Sequence, residues 1–111
     1  MNLEQNARDY FSRFQNKDLD ALSEMFDDNI SLRDWNISVR GKQPVLDANK
    51  NIFESLNKID IGIENLYQSD NTIVAEILIS TDTDEGVLPV VDIITFGANK
   101  KIKSIVAYRG N

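Results

Sequence analysis

Val87–Phe96, VLPVVDIITF, is an apolar run of strand length with one carboxylate in its middle. Its β-branched residues predict a buried β-strand. Side chains alternate along a strand, so Asp92 shares a face with Leu88, Val90, Ile94 and Phe96, while Val91 and Ile93 point the other way. A carboxylate on an all-apolar face loses its hydration. It must then be paired, or its pKa must rise until it is neutral. A structural role, with the carboxyl taking hydrogen bonds from a tyrosine or from backbone amides, is the plain alternative to a functional one.

Outward from this strand, IDIGIENLYQ (59–68), TIVAEILIST (72–81) and KIKSIVAYRG (101–110) read as three further strands, with turns at Ser69-Asp70-Asn71, Asp82 to Gly86 and Gly97 to Lys100. In the last strand Ile105 and Ala107 are expected on the outer side together with Val91 and Ile93. The first part of the chain is different. Leu3, Ala7, Tyr10, Phe11 and Phe14 recur at helical spacing, which predicts an amphipathic helix over about residues 3–16 with Tyr10 on its buried stripe. A short helix, DLDALSEMF, opens at Asp18 with acidic residues at its positive end. Asp27, Asp28 and Asn29 then read as a turn. Ile30, Leu32 and Asp34 alternate with Ser31, Arg33 and Trp35 as a strand would, which places Asp34, a second carboxylate, on an apolar face. Val39-Arg40-Gly41-Lys42 reads as a turn, and Pro44 suits the first turn of a third helix carrying Val45, Leu46, Ile52, Phe53 and Leu56. Helices followed by a meander of long strands describe a single α+β domain over residues 1–111, its helices covering the concave face of a strongly curved sheet.

Composition narrows the chemistry. The chain has no cysteine and no histidine, so disulfides, thiolate or imidazole metal sites, catalytic triads and histidine acid–base catalysis have no residues to use. Proton chemistry is left to Asp, Glu, Tyr or Lys. A formal net charge of −6 with scattered Lys and Arg argues against nucleic acid or an anionic membrane as partner. The opening residues, MNLEQNARDYFSRF, lack the basic-then-apolar pattern of a signal peptide, and no apolar run reaches membrane-spanning length; a cytoplasmic location is the expectation.

The order of elements and the run YFSRFQNKDLDALSEMFDDNISLRDW, with RGKQPV before the third helix and VVDIITFGANKKIKSI near the end, resemble the nuclear transport factor 2-like superfamily, and within it the SnoaL-like proteins and bacterial ketosteroid isomerases. The resemblance spans nearly the whole chain. It implies a cone-shaped, curved mixed sheet wrapped around three N-terminal helices, a cystatin-like roll. It also implies an isomerase site in which Asp34 is the general base and Tyr10 and a neutral Asp92 donate hydrogen bonds to a developing oxyanion, with no metal and no cofactor. Trp35 follows Asp34 where the isomerases commonly have proline.

The expectation is therefore enolisation of a small hydrophobic ketone or enone by Tyr10, Asp34 and Asp92, in a pocket lined by Phe14, Trp35, Phe53, Val90 and Ile94. Tyr67 is a further aromatic that could reach a ligand. The alternatives are a SnoaL-like polyketide cyclase, using the acid at Asp92 for an intramolecular aldol closure, and a non-catalytic ligand-binding or dimerisation domain. A homodimer through the outer sheet face, with Val91, Ile93, Ile105 and Ala107 at the contact, is expected on either reading. A binding domain would have Asp34 and Asp92 bonded to the protein with no open space between them and Tyr10; an enzyme would have all three converge on one cavity lined by carbon.

Overall fold

Asn2 starts the first helix by accepting the Gln5 amide on its side-chain oxygen at 3.2 Å. In the computed structural model, which describes residues 2–83 and 86–110, this helix, α1, runs Leu3–Gln15 and buries Leu3, Ala7, Tyr10 and Phe11. Asp18 caps α2, Leu19–Met25, by accepting the Ala21 amide at 3.1 Å. The chain continues through β1 (Phe26–Arg33), β2 (Ser38–Arg40), α3 (Lys42–Ser55), β3 (Ile59–Ser69), β4 (Thr72–Thr81), β5 (Val87–Phe96) and β6 (Ile102–Arg109). One mixed sheet has the order β2-β1-β6-β5-β4-β3, with β1 and β6 parallel and every other pair antiparallel.

Register shifts lie within the β1–β6, β3–β4 and β5–β6 pairs. Such irregularities bend strands and increase twist, which gives the sheet a concave side for the helices. Leu22, Phe26, Ile30, Ile73, Ile94, Phe96 and Ile102 are almost wholly buried and form the centre of the core between the two layers.

Four sequence expectations are corrected, each for a local reason. Asp27, Asp28 and Asn29 are not a turn between elements. Asp27 accepts the Asn29 amide at 2.9 Å inside β1, where the pairing with β6 slips between Phe26 and Ser31, so the turn-forming residues make a bulge within the strand. Of the turn expected over Val39 to Lys42, Val39 and Arg40 belong instead to the edge strand β2, which pairs with Ser31–Arg33. The reversal that follows falls on Gly41, whose φ of 101° suits glycine and whose N–H donates to the Ile30 carbonyl at 2.7 Å. The ladder of β1 ends at Arg33, so Asp34 stands just beyond the strand.

In β6, Phe96 pairs with Ile102 but Thr95 pairs with Ser104, which leaves Lys103 as an extra residue. That insertion turns Ile105 and Ala107 inward and Val106 and Tyr108 outward, the reverse of the simple alternation. The expected turn over Asp82 to Gly86 includes Asp84 and Glu85, which lie outside the described residues. Among the described residues, no helix is long and apolar enough to cross a membrane.

Candidate functional site

Three elements bring the candidate polar residues to one hollow. Tyr10 reaches it from α1, Asp92 from β5, and Asp34 from the connection between β1 and β2; all three border a cavity of about 360 Å³ between helices and sheet. The remaining wall is mainly hydrocarbon, including Phe14, Ile52, Leu56, Ile61, Ile77, Ile79, Val90 and Ile105. Exposed residues Trp35, Asn36, Thr83 and Arg109 also border it and mark the side on which it meets solvent.

Asp92 lies on the buried face of β5 as its alternation requires, and is 7% exposed. Burial, and then the negative charge of Asp34, push its carboxyl up to about 7. Among the described residues no hydrogen bond offsets that burial. Tyr10, also buried, has its hydroxyl raised well above the ordinary phenol range by burial first and by the Asp92 charge second. Its ring packs against Phe11, Phe14 and Phe26 at centroid distances of 5.2, 6.1 and 6.4 Å, which fixes the direction of the hydroxyl. Below about pH 7 the cavity therefore holds two O–H groups with hydrogens to donate.

Asp34 is held differently. Its Oδ1 accepts the Asn36 amide at 2.7 Å and the Ile37 amide at 2.9 Å, while its own N–H donates to the Ile37 carbonyl at 2.9 Å. This Asx turn closes the β1–β2 hairpin and leaves Oδ2 without a bond to any described residue. The carboxylate is thus oriented by one oxygen and free at the other.

The expected pocket residues divide. Phe14, Trp35 and Val90 border the cavity. Phe53 does not: it is buried behind Phe14, the two rings meeting edge to face at 4.9 Å and 74°. Ile94 does not either, since it is fully buried further along β5, in the core below the cavity. Ile94→Ala should accordingly cost about 2–5 kcal/mol of stability by urea unfolding; a loss below about 1 kcal/mol would contradict a core position. Tyr67 lies on the far side of the sheet, where it is exposed and donates to Glu76 at 2.9 Å.

Asn49 is the site residue that sequence reading missed. It lies between Val45 and Phe53 on the buried stripe of α3 and borders the cavity. A polar residue at a buried helical position is the same signal that singles out Asp92 on its strand. Among the described residues no three Asp, Glu, His or Cys side chains are grouped as a metal site would need.

Comparison with known proteins agrees with this architecture. The sequence profile of the SnoaL-like domain matches residues 7–105. No curated protein matches the sequence. Among solved structures, the fold is similar to that of an NTF2-like protein of unknown function from Cytophaga hutchinsonii, at 26% identity and a TM-score of 0.79 over 98% of this chain and 100% of that one. A candidate SnoaL-like polyketide cyclase from Shewanella denitrificans superimposes with a TM-score of 0.85 at 15% identity, over 97% of this chain and 90% of that one. An epoxide hydrolase/cyclase-like enzyme with a role in pyran ring formation in the polyether salinomycin does so with a TM-score of 0.78 at 16% identity, again over 97% and 90% of the two chains.

Proposed function

The chain belongs to the SnoaL-like domain family, within the nuclear transport factor 2-like superfamily, and from that premise we propose that it enolises a small hydrophobic ketone or enone through its own side chains. The observation that carries the reading is the pair of buried O–H groups, Tyr10 and Asp92, that open on a hydrocarbon-lined cavity without hydrogen bonds from any described residue. Unpaired donors of that kind are poised for an acceptor that arrives from outside.

In this mechanism the ketone oxygen lies between the Tyr10 hydroxyl and the neutral Asp92 carboxyl. Oδ2 of Asp34 takes a proton from the neighbouring carbon, and the C–H electrons move into the C–C bond while the carbonyl electrons move onto oxygen. The negative charge that develops there is met by both donors, in a place where hydrocarbon walls strengthen the interaction. Protonated Asp34 then returns the proton to a carbon further along the conjugated system, which completes an isomerisation. Trp35, 41% exposed, borders the mouth beside the base.

A cavity of about 360 Å³ has room for roughly a dozen waters, or a ligand of roughly ten to twenty non-hydrogen atoms. One- and two-ring ketones fall well inside that range, and a steroid of about twenty non-hydrogen atoms lies at its upper end. The polyketide cyclase among the structural neighbours supports a related outcome, in which the same enolate attacks a second carbonyl of its own molecule.

Deuterium exchange at the carbon next to the carbonyl, followed by NMR across monocyclic, bicyclic and steroidal ketones, tests this function. Exchange faster for the small ketones than for the steroid is expected; no exchange above the solvent background with any of them would remove the enzymatic reading and leave a binding domain. We extend the same proposal to assembly. Two copies associate across the outer sheet face, where Val74, Val91, Ile93 and Val106 are brought side by side by the register, and sedimentation velocity should show a dimer.

A further inference from the structure

The α3 wall of the cavity carries a polar group that enolisation does not use. Asn49 is 2% exposed, it borders the cavity, and its Nδ2 has no hydrogen-bond partner among the described residues. Buried amides left unpaired are rare, because nothing offsets the loss of their hydration. Val45 and Phe53, one turn away on either side, are both apolar, so packing alone would be served by leucine at this position. Asn49 also stands on a different wall from the oxyanion donors: it comes from α3, which packs over β1, whereas Tyr10 comes from α1 and Asp92 from β5, which β6 separates from β1.

We propose that Asn49 is a recognition residue whose side-chain amide hydrogen-bonds a second oxygen of the substrate, so that the site selects a compound with two oxygens, a dicarbonyl or hydroxyketone, over a simple ketone. The proposal rests on the enolisation reading, since it takes the first oxygen to be the one held by Tyr10 and Asp92. Either end of the amide serves this purpose, because rotation about its terminal bond exchanges Oδ1 and Nδ2. A hydroxyl or enol oxygen can answer either end, and a keto oxygen answers the N–H. Selectivity of this sort comes from a buried polar group that is satisfied by the right ligand and left unpaired by the wrong one.

Aromatic alcohols imitate an enol and fit the cavity, so the test uses 2-naphthol and the 2,3-, 2,6- and 2,7-dihydroxynaphthalenes, titrated by fluorescence at pH 6 against the full chain. Wild-type protein is expected to bind at least one diol roughly tenfold more tightly than 2-naphthol, a gain typical of one added hydrogen bond. Asn49→Leu should keep the wild-type affinity for 2-naphthol, lose the gain for the diol, and unfold at the same or a higher urea concentration. Asn49→Ala carries the same binding prediction should leucine not fit. The proposal is overturned if no diol is preferred, if the preference survives in both variants, or if affinity for 2-naphthol and diols falls equally with a loss of stability, which is the result for a packing role. Failure of the parent reading is seen on a different variant: binding of 2-naphthol that Tyr10→Phe leaves unchanged would show that no oxygen sits between the two donors.

Discussion

Asp34→Asn should lower the rate of α-proton exchange by a factor on the order of a hundred to ten thousand, the usual contribution of a positioned general base, while the fold and the affinity for 2-naphthol stay close to wild type. The turn explains why so little else changes. Asparagine keeps an oxygen for the Asn36 and Ile37 amides, so the Asx turn at the end of β1 persists, and only the free oxygen is exchanged for an amide that cannot accept a proton. An affinity for 2-naphthol as strong as that of wild type separates loss of the base from loss of the cavity. Equal exchange rates for the two proteins, under conditions where wild type exceeds background, would move the base elsewhere.

Asp92→Asn should raise stability at pH 8 by up to about 4 kcal/mol, because the wild-type carboxyl ionises at about 7 when folded against 3.8 as its ordinary value. Below pH 3.8 both the folded and the unfolded chain hold the proton. Between 3.8 and about 7 the unfolded chain releases it and the folded chain keeps it, so rising pH favours unfolding throughout that window and adds nothing above it. The variant, with no proton to lose, should match wild type near pH 4 and exceed it progressively towards pH 8 in urea titrations. Its activity profile should change as well. Wild-type exchange should decline above about pH 7 as Asp92 becomes an anion beside Asp34 and ceases to donate, whereas the asparagine amide keeps donating and removes that limb. A stability difference independent of pH would mean that Asp92 is charged when folded.

The strands that carry the site were legible because β4 and β5 alternate without interruption, and alternation makes a carboxylate at position 92 conspicuous. Where alternation is broken by one residue, the reading failed. Lys103 reverses the faces of Ile105 and Ala107, and a bulge between Phe26 and Ser31 hides Asp27–Asn29 inside a strand. Phe53 and Ile94 show a different limit. Both lie on inward faces, as expected, but periodicity reports depth and not position along the element, so it does not separate the wall of a cavity from the packed core beneath it. Asn49 could have been found by the rule that found Asp92, applied to a helix.

The placement of β6 between β1 and β5 has a consequence for how the protein becomes competent. Asp34 follows the first of these strands and Asp92 lies on the second, yet the strand that joins them is synthesised after both. Ribosome-bound chains that stop before residue 102 would expose two unrelated acids and no hollow. Loop closure over such sequence distances slows folding, so ligand binding during synthesis should rise in a single late step and not by degrees.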